Sequence, residues 1–166
     1  MIVTNEPWRH AISDNFFSPD KLQEILDYVE GYDVSKETYI ENKFTSTLYP
    51  YNNLLIEQLT QTFPDHRFFN KLKFRQYIVI MPENTSYVKG IHCDKYEKVF
   101  SNIIYISPEQ SKSGTLLYDS NKNFVKRIDW KQNRCLSFAP LDNVTWHNFD
   151  NLEKHNRVTV NITIER

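Results

Sequence analysis

Two histidines, one aspartate and one arginine carry the chemistry legible in this chain. In Ile91-His92-Cys93-Asp94 an imidazole and a carboxylate stand two residues apart. In an extended strand, period two sends both side chains to one face and Cys93 to the other. A third donor, His147, closes the later run Asn143-Val144-Thr145-Trp146-His147. Two neutral imidazoles and one carboxylate leave a divalent ion net positive and with open coordination positions, a donor set that suits non-haem Fe(II) and O2 activation. Taken singly, each residue has a plainer reading: His92 and Asp94 as a hydrogen-bonded surface pair, His147 as a half-buried strand histidine bonded to a backbone carbonyl.

Arg157 changes the balance. Ten residues after His147, the final strand opens as Arg157-Val158-Thr159-Val160-Asn161-Ile162-Thr163-Ile164 with strict alternation. At about 3.3 Å per residue a straight strand would carry Arg157 about 33 Å from His147. The polar, Asn-rich stretch Asn148 to Asn156 instead lets the chain double back. One face of the last strand holds Arg157, Thr159, Asn161 and Thr163, the other Val158, Val160, Ile162 and Ile164. If the apolar face serves upstream helices, the polar face points inward. A guanidinium held there demands an anion, because a buried unpaired charge is costly and its planar fork grips a carboxylate through two hydrogen bonds.

The elements that must position these residues fall into two kinds. Ser18 can cap a helix, Pro19 suits its first position, and Leu22, Ile25, Leu26 and Val29 form one apolar stripe before Gly31. A second helix is expected from about Tyr51 to Thr62, with Leu55, Leu59 and Phe63 on one side and Pro64 after it. From Leu72 onward the pattern turns to short apolar or alternating runs, with strands expected near Lys73 to Met81, Gly90 to Cys93, Phe100 to Ser107 and Thr115 to Asp119, and then near Val125 to Trp130, Cys135 to Ala139, Val144 to Phe149 and Arg157 to Ile164. Eight strands suggest a sandwich or jelly roll.

Composition sets outer limits. The chain has 166 residues, 40% of them hydrophobic, with 20 Lys plus Arg against 21 Asp plus Glu. That describes one globular domain able to build a core without disulfide or structural metal. A formal net charge of -1 offers no basic field for nucleic acid. No apolar stretch approaches a membrane span and the N-terminal residues form no leader, so a cytoplasmic location is expected. Cys93 and Cys135 lack CxxC spacing and suit reduced thiols. The wealth of Asn and Tyr beside 2 Ala and 3 Gly resembles coding drift in an AT-rich genome, such as that of a phage or low-GC bacterium.

His92-x-Asp94, then His147, then Arg157 ten residues later, resembles the 2-oxoglutarate and Fe(II)-dependent oxygenases, in particular their compact prolyl-hydroxylase-like branch. The likeness covers roughly Leu72 to Ile164. It implies a mainly β fold with N-terminal helices: a double-stranded β-helix (a cupin-like jelly roll) with the helices packed on the outer face of the major sheet. It also implies one domain over residues 1–166, with 1–70 as helical support and 71–166 as jelly-roll core. His92, Asp94 and His147 would then ligate Fe(II), and Arg157 would pair with the distal carboxylate of 2-oxoglutarate. Tyr105 resembles a tyrosine whose hydroxyl shares that carboxylate, and Thr159 resembles the hydroxyl of an Arg-x-Ser pattern. Tyr87 stands where prolyl hydroxylases place a substrate-side tyrosine, though five residues before His92 rather than three. Gly114-Thr115-Leu116 resembles a Gly-Gly-x-Leu strand with its second glycine replaced.

The resemblance implies hydroxylation of an unactivated C–H bond with O2, releasing succinate and CO2. The substrate would be a prolyl residue of a peptide, or an amino-acid-like small molecule. Thr163 occupies the place where nucleic-acid demethylase relatives carry a second arginine, and the one basic stretch, His66 to Arg75, reads as a strand entry, so nucleic acid is disfavoured. Retention of Asp94 argues against halogenation. Two alternatives remain: a non-catalytic cupin-like metal-binding or carbohydrate-binding jelly roll, and an iron enzyme that does without 2-oxoglutarate. An interior Arg157 separates the first from an oxygenase, since a lectin has no use for a buried guanidinium.

Overall fold

The computed structural model describes the chain except residues 33–37, 42–44, 65–71, 84, 87–89, 96 and 152. Its elements run β1 (Ile2–Thr4), β2 (His10–Ser13), α1 (Pro19–Glu30), β3 (Thr38–Glu41), α2 (Thr45–Thr62), β4 (Lys73–Met81), β5 (Thr85–Ser86), β6 (Lys98–Ser107), β7 (Gly114–Tyr118), β8 (Phe124–Asp129), β9 (Cys135–Phe138), β10 (His147–Asn148), β11 (Asp150–Asn151) and β12 (Arg157–Glu165). A seven-stranded sheet has the order β1-β2-β9-β6-β12-β4-β3, a three-stranded sheet the order β10-β7-β8, and β11 pairs with β5. The two larger sheets face each other as a jelly roll. Among the described residues no helix is long and apolar enough to cross a membrane.

The last strand organises the molecule because it is central and two-faced. Val158, Val160, Ile162 and Ile164 are buried in a cluster with Ile25 and Val29 of α1 and Leu48, Leu55 and Leu59 of α2. Both helices therefore cover the outer face of the large sheet, and each buried aliphatic side chain contributes about 1.5–3 kcal/mol of transfer free energy. The α1 stripe is set by its cap: the Ser18 side chain accepts the Lys21 amide and Pro19 starts the first turn. Between the sheets lies a second cluster that includes Tyr105, Leu117, Ile128, Trp130 and Phe138.

Register places the polar face of β12. Arg157, Thr159, Asn161 and Thr163 lie opposite Met81, Val79, Tyr77 and Arg75 of β4. On the other side, Thr159, Asn161 and Thr163 lie opposite Tyr105, Ile103 and Ser101 of β6. Directly opposed residues share a face, so this row lines the inside of the barrel.

Several expectations need correction. The first third is not only helical: β1 and β2 extend one edge of the large sheet and β3 forms the other. Strands of three or four residues show too little alternation to be recognised and owe their order to the partners they pair with. Helix α2 begins at Thr45 rather than near Tyr51, with Pro50 inside it. A proline forgoes one helical hydrogen bond, and Leu48, seven residues before Leu55, extends the buried stripe enough to outweigh that loss. Residues 90–93 form no strand, only an isolated bridge at His92. The expected strand Val144 to Phe149 shrinks to His147–Asn148, because Asn143 adopts φ 57° in a turn.

Gly114 shows how closely β7 and β8 approach. A Cβ there would collide with the Ile128 carbonyl oxygen, a backbone atom that cannot turn aside. Gly114→Ala is expected to destabilise by about 2 kcal/mol and lower the melting temperature by roughly 4–8 °C. Thermal unfolding followed by circular dichroism checks this; an unchanged midpoint would contradict the packing.

Candidate metal centre

His92 and His147 face each other because their backbones do. His92 N–H donates to the His147 carbonyl at 3.0 Å and His147 N–H to the His92 carbonyl at 2.9 Å. β10 is itself held to β7, with His147 opposite Leu117. The imidazole centroids are 4.4 Å apart. Nδ1 of His147 lies 2.9 Å from the Thr145 carbonyl and Nδ1 of His92 lies 3.1 Å from the Gly90 carbonyl. A carbonyl can only accept, so each Nδ1 carries the proton and each Nε2 presents its lone pair. Gly90, at φ 63°, makes the turn that brings its carbonyl beneath His92.

Asp94 completes the group: one ligand atom from each of His92, Asp94 and His147 lies within 4.8 Å of the others. The segment reaches this arrangement without being a strand, and Cys93 turns away toward Asn143 to Thr145, whose groups bond its thiol. Lys98 Nζ donates to Asp94 Oδ1 at 2.9 Å, and Ser101 Oγ donates to Oδ2. Burial works to raise the Asp94 carboxyl, but the Lys98 and His147 charges and the bonds from Lys98 and Ser101 outweigh it and hold the group below its ordinary value. Burial pushes His147 down to about 4, so its imidazole is neutral at ordinary pH. The donor set is thus two imidazole nitrogens and one anionic oxygen, which fits Fe(II).

The polar stretch between His147 and Arg157 does double back. Asn151, fully buried, donates through Nδ2 to the carbonyls of Met81, Pro82 and His155 at 3.2, 2.8 and 2.8 Å. That knot returns the chain so that β12 starts beside Met81. Arg157 is 2% exposed, with its Cζ 4.1 Å from the Phe149 ring centroid, 5.2 Å from Trp130 and 5.8 Å from Tyr105. Arg157, Thr159 and Phe149 line one cavity of about 680 Å³ together with His92, Asp94 and His147. That volume lies in the range of small-molecule sites.

Not every expected residue faces this cavity. The Tyr105 hydroxyl donates to Thr115 Oγ1 at 2.8 Å, and its ring stacks on Trp130 at 4.5 Å. Thr115, standing in the second position of the Gly114-Thr115-Leu116 run, supplies the hydroxyl that receives it. Tyr105 therefore meets Arg157 through its ring. Tyr87 and most of the basic stretch from His66 lie outside the described residues. Asn161, on the polar face of the last strand, lines the cavity too, as do Phe149, Lys98 and Ser101, which were not singled out from sequence. Only Phe149 left a signal, two residues after His147.

No protein-family profile and no curated sequence matches the chain. Solved structures do. A prolyl hydroxylase from Trichoplax adhaerens, solved with a hypoxia inducible factor oxygen degradation domain peptide fragment, aligns at TM-score 0.69 and 15% identity, covering 94% of this chain and 83% of that one. A Pseudomonas putida prolyl-4-hydroxylase aligns at 0.68 and 10%, covering 95% and 92%. The viral collagen prolyl hydroxylase of Paramecium Bursaria Chlorella virus-1, solved as a 2OG complex, aligns at 0.61 and 11%, covering 93% and 94%. The chain thus has the jelly-roll fold of the prolyl hydroxylases, over nearly its whole length.

Proposed function

We propose that this chain is a 2-oxoglutarate- and Fe(II)-dependent oxygenase that hydroxylates an unactivated C–H bond, with a prolyl residue in a peptide or an amino-acid-like molecule as substrate. The observation that carries the reading is the meeting of His92, Asp94 and His147 within 4.8 Å in the same cavity as the buried Arg157. A lectin-like or purely structural jelly roll has no use for that guanidinium. The peptide in the Trichoplax structure and the 2OG in the viral one support the substrate and cosubstrate classes.

Fe(II), 2-oxoglutarate and O2 together would supply the oxidising chemistry, with succinate and CO2 as by-products. The chain's own contribution is positioning. His92 and His147 offer imidazole nitrogens in fixed tautomers, and Asp94 offers the single negative charge. Arg157 would pair with the distal carboxylate, with the Thr159 hydroxyl beside it on the same face. Phe149 and Trp130 flank the guanidinium, exclude water and so strengthen that ion pair.

Anaerobic addition of 2-oxoglutarate to the Fe(II)-loaded protein tests the reading. A saturable change in visible absorption is expected. Bound iron with no response to 2-oxoglutarate would refute it and favour an iron enzyme of another kind.

A further inference from the structure

Asp94 is held from both sides by residues that the proposed function does not use. The Lys98 ammonium sits 2.9 Å from Oδ1, with side-chain exposures of 20% for Lys98 and 12% for Asp94. Ser101 fixes Oδ2. An ammonium and a divalent ion on the same carboxylate repel each other, even with the screening of a protein surface. A second anion is within reach of the same ammonium. Glu165, at the end of β12, is the cross-strand partner of Lys98 on β6. Both line the cavity, the Glu165 charge acts on Lys98, and the Thr163 hydroxyl steadies Glu165 Oε1 at 3.2 Å.

We propose that Lys98 is a resident counter-cation of the metal centre: it neutralises Asp94 in the metal-free protein and passes to Glu165 when a divalent ion takes the carboxylate. This rests on the metal site assigned above. Ser101 acts as the positioning residue that keeps Asp94 in place during the exchange. The ammonium stays protonated throughout, so the device works by movement of a charge. Its consequence is a metal affinity set below that of the three ligands alone, with the metal-free site kept in charge balance. Such balance is what a mostly buried carboxylate requires to remain ordered.

Co(II) titration of the full chain, followed by visible absorption, tests this in the wild type, Lys98→Met, Glu165→Gln and the double variant. Lys98→Met is expected to bind Co(II) at least tenfold tighter, because the competing cation is gone. Glu165→Gln is expected to bind it at least threefold more weakly, because the displaced ammonium has lost its receiver. In the Lys98→Met background Glu165→Gln should have no effect, a coupling that a merely structural role would not produce. Lys98→Gln, which keeps a donor toward Oδ1 without the charge, serves if the methionine variant does not fold and should shift affinity in the same direction. Unchanged or weaker Co(II) binding on loss of Lys98, or an equal Glu165→Gln effect in both backgrounds, would overturn the proposal. If Asp94→Ala binds Co(II) as the wild type does, the metal assignment itself fails. Asp94-dependent binding that is indifferent to Lys98 removes this inference alone.

Discussion

Arg157→Ala should raise the 2-oxoglutarate concentration needed for half-saturation by roughly 100-fold or more while leaving divalent-metal affinity within about threefold. The size follows from burial: removing one partner of a desolvated ion pair costs about 3–5 kcal/mol, and each 1.4 kcal/mol is about tenfold in affinity. The selectivity follows from topology. Arg157 opens β12, whereas the three metal-donor candidates come from the bridge between His92 and His147 and the loop at Asp94. The backbone and Nδ1 bonds that orient His92 and His147 run to each other and to the Gly90 and Thr145 carbonyls. Truncation also removes a group packed on three rings, so Arg157→Gln is the companion variant that retains most of the volume. Calorimetric titration of 2-oxoglutarate into each Mn(II)-loaded protein checks the prediction, and an undiminished affinity in both variants would count against the clamp.

His147→Ala should cost about 1,000-fold or more in metal affinity, well beyond the roughly 10–100-fold that follows loss of an outer hydrogen-bond partner. Its fold should survive. The reciprocal bonds that join residues 92 and 147 use backbone N–H and C=O, which alanine keeps, and β10 remains paired with β7. A folded variant without metal affinity is therefore the expected result, with succinate formation lost in parallel. Co(II) absorption and far-ultraviolet circular dichroism on the same sample separate the two properties. Retention of Co(II) binding by a folded His147→Ala protein would remove this histidine from the donor set.

Where the sequence could be read, a long periodic pattern met one physical demand. The eight-residue alternation from Arg157 has an apolar face that the upstream helices can cover and a polar face that then turns inward, and β12 follows it to Glu165. The α1 stripe with its Ser18 cap and Pro19 start is the same kind of case. His92 and Asp94 were placed together on strand geometry they do not have; a single bridge and the Gly90 turn deliver them instead. Lys98 and Ser101 left no trace, since their meaning appears only when the start of β6 folds back beside Asp94. The Tyr105 hydroxyl meets Thr115 in a pairing between strands of two different sheets, which no local pattern reveals. Edge strands β1 and β3 are shorter than the window in which alternation can be seen.

The three donors and the clamp are expected to act on one pair of ligands in one cavity. Calorimetric titration of 2-oxoglutarate into the wild-type protein, with and without Mn(II), tests it most directly. Saturable one-to-one binding is expected with Mn(II) present and at least tenfold weaker binding without it, since chelation to the metal and pairing with Arg157 would share one molecule. Binding of equal strength in the chelator-treated protein, or none in the metal-loaded one, would contradict it.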